Sequence, residues 1–297
     1  MSSIANARLV IFGCGYVGSA LAGAALQAGA RVEALTRNPD KAATLRAKGV
    51  AVIVADLASA DWHGQIATGP DFVVNCVSSG GPDHYRRSYV EGMKSVLAWA
   101  NQGPKPVGTL VYTSSTAVYP QGGGMVVDET AEAPGATPNG AIIRESEQLL
   151  QSAPASAVAR HFILRLAGIY GPGRHHLLDQ LREGLPVLGG SGEHRLNLAH
   201  RDDIVAAILA GLTAPVAVTS DVFNVADSAP ARRGEVVAWL AARLGRPAPG
   251  FDGSTTSRRG GAPMPDRIIA NAKLHRVLGW RPRYPDFRSG FESLVSH

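Results

Sequence analysis

Short apolar runs alternate, through the first half of the chain, with stretches whose apolar residues recur at helical spacing. The first run, Arg8-Leu-Val-Ile-Phe12, breaks into Gly13-Cys-Gly15-Tyr-Val-Gly18 and continues as a small-residue helix over 20–28. Runs at 31–36, 50–54, 71–76, 107–113 and 158–166 read as further strands, and 38–48, 84–101 and 141–151 as the helices between them. Strands alternating with helices predict a parallel sheet covered on both faces. Six strands by residue 166 complete a doubly wound α/β sheet of the Rossmann kind. Beyond that point the pattern is less regular: a helix over 202–212, a strand over 222–225, a helix over 234–244 and a terminal helix over 285–295. The Gly- and Pro-rich runs 121–124, 134–140 and 250–265 read as loops.

The glycines at the end of the first run have a physical reason if a dinucleotide is bound. Gly13 makes the tight turn, Gly15 lets a pyrophosphate approach the backbone, and Gly18 lets helix pack on strand. Phosphates then rest on the free amides and positive dipole end of a helix beginning near Tyr16 and Val17. NAD-binding relatives of this motif place an acid near the end of the second strand, to grip the ribose 2′-hydroxyl. Here Thr36 and Arg37 stand in that place. A planar guanidinium suits a 2′-phosphate, so the expected cofactor is NADP rather than NAD. Asp56 and Leu57 follow the third strand and are candidates for the adenine edge. Cys76, Val77 and Ser78 follow the fourth and are candidates for the nicotinamide side; either pair can equally cap the next segment.

Composition narrows the class without naming the chemistry. At 297 residues and 45% hydrophobic side chains the chain can bury one large core or two modest ones. Cys14 and Cys76 are its only cysteines, too few for a disulfide framework or a zinc site. No basic leader followed by an apolar stretch opens the chain, and no run reaches membrane-spanning length, so a cytoplasmic protein is expected. The net charge of +5 is concentrated at the C-terminal end, where residues 231–297 hold 12 Lys or Arg against 5 acids. These cations lie among Pro, Gly and apolar residues without interleaved aromatics. An anionic or nucleotide-linked small substrate therefore fits better than nucleic acid, and Arg258 and Arg259 are candidates to hold its charge.

The later motifs carry a resemblance. Thr113-Ser-Ser-Thr-Ala-Val-Tyr-Pro120, Asp128-Glu-Thr130, Leu164-Arg-Leu-Ala-Gly-Ile-Tyr-Gly-Pro-Gly-Arg174, Asn197-Leu-Ala-His-Arg-Asp-Asp203, Phe223-Asn-Val-Ala-Asp227 and Leu278-Gly-Trp-Arg-Pro282 occur in order. Together with the glycine turn they resemble the short-chain dehydrogenase/reductase superfamily, in its extended, NAD-dependent epimerase/dehydratase branch. The resemblance implies a dinucleotide-binding core over 1–168, with 201–227 returning to it. A smaller C-terminal substrate lobe would comprise 169–200 and 228–297. It also implies a homodimer through helices near 84–101 and 141–151.

In that family a Ser or Thr hydrogen-bonds the substrate oxygen, a Tyr exchanges the proton, and a Lys four residues later lowers the Tyr pKa. Ser115 matches the serine. Counting back from Glu147, the tyrosine position falls on Asn139 and the lysine position on Ile143, and both are lost. Asparagine does not titrate, and Arg144 is turned about 100° away from the lysine direction. Tyr119, Tyr85, Asp83 and His84 are the alternative proton donors, with Tyr119 closest to Ser115 in sequence. Adjacent His175 and His176 lack the spacing of a metal site. His200 with Asp202 and Asp203 reads as a helix N-terminus. Two functions follow: an atypical NADP-dependent reductase or epimerase-like enzyme, or a catalytically silent dinucleotide sensor or interaction protein.

Overall fold

The computed structural model describes residues 4–79, 81, 84–254 and 265–295. Asp83, Arg258 and Arg259 lie outside the described residues. Seven parallel strands form one sheet: β1 (Arg8–Phe12), β2 (Arg31–Thr36), β3 (Ala51–Val54), β4 (Phe72–Asn75), β5 (Val107–Ser115), β6 (Val158–Leu166) and β7 (Asp221–Val225), in the order β3-β2-β1-β4-β5-β6-β7. The order reverses between β1 and β4, the place where a doubly wound sheet opens a crevice beyond its carboxyl strand ends. The seventh strand is the later one expected over 222–225, added to the six that end by residue 166. The 221–225 segment pairs with β6 in parallel from Asp221 opposite Phe162 to Val225 opposite Leu166 and becomes the sheet edge.

The central strands β1 and β4 are nearly unbroken apolar runs because both faces of the sheet are covered there. Along β1, Leu9 and Ile11 enter the core on the side of α1 (Tyr16–Gln27) and α6 (Arg201–Leu212). Val10 and Phe12 enter the opposite core, under α3 (Gly92–Ala100) and α4 (Pro138–Gln151). There Phe12 packs against Trp62 and Trp99 at ring-centroid distances of 4.9 and 5.6 Å. A third cluster binds α5 (His176–Arg182), α7 (Arg233–Arg243) and α9 (Phe287–Val295) through Leu178, Leu181, Val236, Leu240, Phe287 and Phe291.

Local signals explain where the helices differ from the sequence pattern. α4 begins at Pro138, inside the stretch expected to be loop, because Thr137 caps it by accepting from the Gly140 amide at 3.1 Å and proline is at ease in a first turn. The expected helix over 84–101 is helical without a break from 84 to 100, with a π-helical turn over Arg87–Glu91 leading into α3. α2 (Pro39–Arg46) is capped by Asn38, which accepts from the Lys41 amide at 2.9 Å. α5 and α8 (Ala272–Leu278), of seven residues each, are too short to show a period. Among the described residues no helix is long and apolar enough to cross a membrane.

Candidate active site

The glycine turn has the geometry its spacing predicts. Gly13 has φ +89°, and a Cβ there would stand 2.4 Å from the Val77 amide nitrogen. A Cβ on Gly18 would meet the Gly13 carbonyl oxygen at 2.5 Å, so helix and turn touch backbone to backbone. Gly15 is the opposite case: a Cβ would meet nothing within 4 Å. It opens onto the space that a phosphate approaching the backbone would fill. α1 starts immediately after, with no side-chain cap and no acid in its first turn, leaving the first-turn positions of Tyr16, Val17 and Gly18 suited to an anion. These features fit a dinucleotide pyrophosphate.

A cleft of about 240 Å³ runs from this turn across the ends of β2 and β3. It brings together Gly13, Gly15, Thr36, Arg37, Asp56, Leu57, Val77 and Ser78, eight of the residues expected from sequence, with Asn38, Lys41, Ser79 and Ser88 added. Sequence reasoning missed Lys41. The Asn38 cap starts α2 immediately, and one helical turn returns position 41 to the cleft wall. Thr36 is buried and its hydroxyl accepts from the Asn38 amide at 3.3 Å, which fixes the bend at which Arg37 and Lys41 emerge exposed. At Asp56 burial raises the carboxyl pKa, but the Ala58 amide at 3.0 Å and Arg87 at 2.9 Å outweigh it, so the group stays ionised below the ordinary range.

Cys76 sits beneath the turn rather than in the cleft, its thiol donating to the Gly13 carbonyl at 3.2 Å. Burial raises its pKa and pushes that of Cys14 up to about 12, which makes both thiols poor nucleophiles.

Ser115 ends β5, half-buried, at the same carboxyl edge of the sheet as Ser78; its hydroxyl accepts from the Ala117 amide at 3.2 Å and keeps its proton free to donate. The structure does not bring Tyr119 to the crevice. Tyr119 is fully buried, donates to Asn224 Oδ1 at 2.9 Å and accepts from Arg165 at 2.9 Å. Arg165 also grips Glu147 in a two-pronged pair at 2.7 and 3.0 Å, and Ser114 and Arg144 complete the carboxylate's shell. Burial raises the Tyr119 pKa, with Arg165 opposing it. From below, the buried Arg267 guanidinium donates to the Thr116, Tyr119 and Gln121 carbonyls and so holds the whole turn.

On α4, Asn139 is exposed and Ile143 is 2% exposed, packed in the core. Tyr85 packs against Tyr89 with ring centroids 4.7 Å apart and the planes tilted by 43°. His175 pairs with Asp179 at 2.8 Å, and among the described residues no group of three His, Cys, Asp or Glu is arranged to hold a metal. His200 caps α6 by accepting from the Asp202 amide at 3.2 Å, and Asp203 is buried, accepting from the Arg283 and Tyr284 amides. A second hollow, about 350 Å³, lies between Pro172, Gly173 and His175 on one side and Arg182, Ser293 and Leu294 on the other. It contains no residue of the glycine turn.

A switch-point crevice, a dinucleotide-type glycine turn and a serine at the adjoining strand end define a Rossmann protein of the extended dehydrogenase type. The chain belongs to the NAD dependent epimerase/dehydratase family, whose model matches residues 9–226. It is 32% identical over 209 residues to protein YeeZ of Escherichia coli K12, covering 70% of this chain and 68% of that one. Among solved structures, a putative NAD-dependent epimerase/dehydratase from Methylobacillus flagellatus superposes with a TM-score of 0.76 at 28% identity, covering 98% of each chain. The UDP-glucuronic acid 4-epimerase of Bacillus cereus, solved with UDP-glucuronic acid and NAD, shares the fold with a TM-score of 0.81 at 19% identity over 97% of this chain and 98% of that one.

Proposed function

We propose that the chain binds NADP and exchanges hydride with a carbonyl or hydroxyl carbon of a small, nucleotide-linked substrate. The observation that carries this reading is the wall of the adenosine end of the cleft. Arg37 and Lys41 line it, and β2 ends in Thr36 rather than an acid. Two cations beside a ribose favour a 2′-phosphate, and the missing carboxylate removes the partner that a 2′-hydroxyl would need. Residues 1–168 with 201–227 form the cofactor core in this reading. Residues 169–200 and 228–297 form the substrate lobe, and the helices over 84–101 and 141–151 carry a homodimer contact.

Bound nicotinamide supplies the hydride chemistry. Gly13, Gly15 and the start of α1 hold the pyrophosphate, and Asp56 and Leu57 border the adenine. Val77 and Ser78 line the approach to the reacting end. The Ala117 amide orients the Ser115 hydroxyl so that its proton donates to the substrate oxygen. Tyr119 takes a structural role, and proton exchange falls to the 84–85 stretch, at Tyr85 or His84.

A second reading, a catalytically silent dinucleotide sensor, is favoured by one specific observation. The two positions where the family places its Tyr and Lys are an exposed Asn139 and a buried Ile143. Fluorescence titration with NADPH and NADH, followed by a turnover screen over sugar nucleotides and aldehydes, separates the readings. The enzyme reading expects tighter NADPH binding and turnover that Ser115→Ala abolishes. Binding without turnover across the screen supports the sensor, and equal affinity for both cofactors, unaltered in Arg37→Ala, refutes the NADP assignment.

A further inference from the structure

The stretch that follows β7 is stitched on three sides. The Asp227 amide donates to the Leu198 carbonyl at 2.6 Å, and Asn271 Nδ2 donates to the Ala226 and Asp227 carbonyls at 2.8 and 3.2 Å. The Ser228 amide donates to the Pro285 carbonyl at 2.9 Å, and Ala229 then bridges in parallel to Asp286. This last side docks α9. Asp286 caps that helix by accepting from the Ser289 amide at 2.8 Å. Tyr170 packs against it: its ring stacks on Phe291 with centroids 4.7 Å apart, and a Cβ at Gly290 would overlap the Tyr170 hydroxyl. The far end of α9 gives Ser293 and Leu294 to the wall of the hollow of about 350 Å³.

Charge is unbalanced at this junction. Asp227 is 4% exposed, and its Oδ1 has no partner among the described residues. The groups that act on it are Asp286 at the start of α9, Asp203 in the first turn of α6, and Tyr170, whose buried hydroxyl is also unpartnered. The nearby cations are turned elsewhere. Arg201 pairs with Asp202 at 2.9 Å, and the Arg283 guanidinium is exposed over the Tyr284 ring, 5.4 Å from its centroid. Arg283 and Tyr284 reach Asp203 only through their backbone amides, and the His200 ring packs on Tyr284 at 4.0 Å while its Nδ1 caps α6. Among the described residues no cation pairs with Asp227. An ionised carboxylate there faces two acids, and contact with water relieves it.

We infer that the 226–229 junction is a proton-controlled latch. With Asp227 protonated it holds α9 against Tyr170; loss of the proton lets the junction and α9 open locally, which loosens one wall of the hollow. Burial raises the carboxyl pKa of the docked residue to about 7 from an ordinary 3.8; the Leu198 backbone opposes the rise, and Asp286 and Asp203 add to it. The docked state therefore binds the proton more tightly than the open one. Opening becomes more frequent as the pH rises between those two values and levels off above the higher.

Hydrogen exchange of the full chain from pH 5 to 8, followed by mass spectrometry and corrected for intrinsic rates, tests this in peptides covering 226–229 and 285–295. Linkage over the two pKa values predicts that protection there falls about fiftyfold from pH 5 to 7 and only about twofold more by pH 8. It should lie below the protection of β1 and β4 at each pH, since the opening is local. Asp227→Asn has no proton to release, so its junction protection should not change with pH. Asp286→Asn keeps the helix cap but removes a neighbouring acid, so levelling-off should move to lower pH; it decides alone if Asp227→Asn does not fold. Wild-type protection that is constant from pH 5 to 8, or that equals the protection of β1 and β4, overturns the latch. So does a fall that survives in Asp227→Asn, or a levelling-off unmoved in Asp286→Asn.

Discussion

Asp227 should make the protein lose stability as the pH rises, and replacing it with Asn should remove that loss. The residue is 4% exposed, follows β7, and one carboxyl oxygen has no partner among the described residues. Burial raises its pKa to about 7 from an ordinary 3.8; the Leu198 backbone opposes the rise, and Asp286 and Asp203 add to it. A carboxyl whose folded pKa lies above its unfolded one binds its proton more tightly in the native state. Its contribution is therefore fully present below about pH 3.8 and is lost as the pH rises through about 7. A shift of about three units corresponds to roughly 4 kcal/mol. The amide of Asp227→Asn would itself leave a buried donor wanting a partner, which costs about 1–3 kcal/mol at every pH. The variant should thus be less stable than wild type below about pH 3.8 and equal or more stable at pH 8.5. Urea unfolding of both proteins at half-unit pH steps measures the crossing. Glu129, raised by burial, and His200, pushed down to about 4 by burial, titrate in both proteins and cancel in the comparison, whereas Asp203 is coupled to Asp227 and its share of the difference belongs to the pair. Parallel stability curves across pH 5–8.5 would refute the reasoning.

Further outcomes follow from single contacts. Arg165→Leu should destabilise by roughly 3–5 kcal/mol in denaturant unfolding, because it strands Glu147 in the core, and Arg165→Leu with Glu147→Leu should recover most of that loss. The glycines should separate by role: Gly18→Ala lowers the melting temperature because its Cβ meets the Gly13 carbonyl. Gly15→Ala leaves melting unchanged but weakens NADPH about tenfold or more, a difference of at least ~1.4 kcal/mol in binding. Thr137→Ala should cost about 1 kcal/mol in thermal or urea unfolding through the lost α4 cap. A Gly15→Ala variant with native affinity would place the cofactor elsewhere.

Much of the core was legible because the central strands β1 and β4 are nearly continuous apolar runs and the glycines of the first turn answer local backbone demands that spacing alone expresses. The small pairings outside the main sheet, such as Met125–Val127 with Arg267–Ile269 or Val187–Leu188 with Gly250–Phe251, join two or three residues across long separations and have no period to read. Tyr119 shows the same limit in the site. Its neighbours in sequence suggest a crevice residue, but its environment is set by Arg165, 46 residues away, and Asn224, 105 residues away. Lys41 was legible in principle: Asn38 followed by Pro39 is a helix start, and one turn brings position 41 to the wall that Arg37 already marked.

The reading of the cleft is tested most directly by its adenosine end alone. Calorimetric titration with adenosine 2′,5′-bisphosphate and with AMP isolates the 2′-phosphate, where one or two charge-assisted hydrogen bonds of about 1.5–3 kcal/mol each predict at least tenfold tighter binding of the bisphosphate. That preference should fall stepwise in Arg37→Ala and in Arg37→Ala with Lys41→Ala. Equal affinities for the two nucleotides in wild type, or a preference that survives the double substitution, would contradict an NADP site built from Arg37 and Lys41.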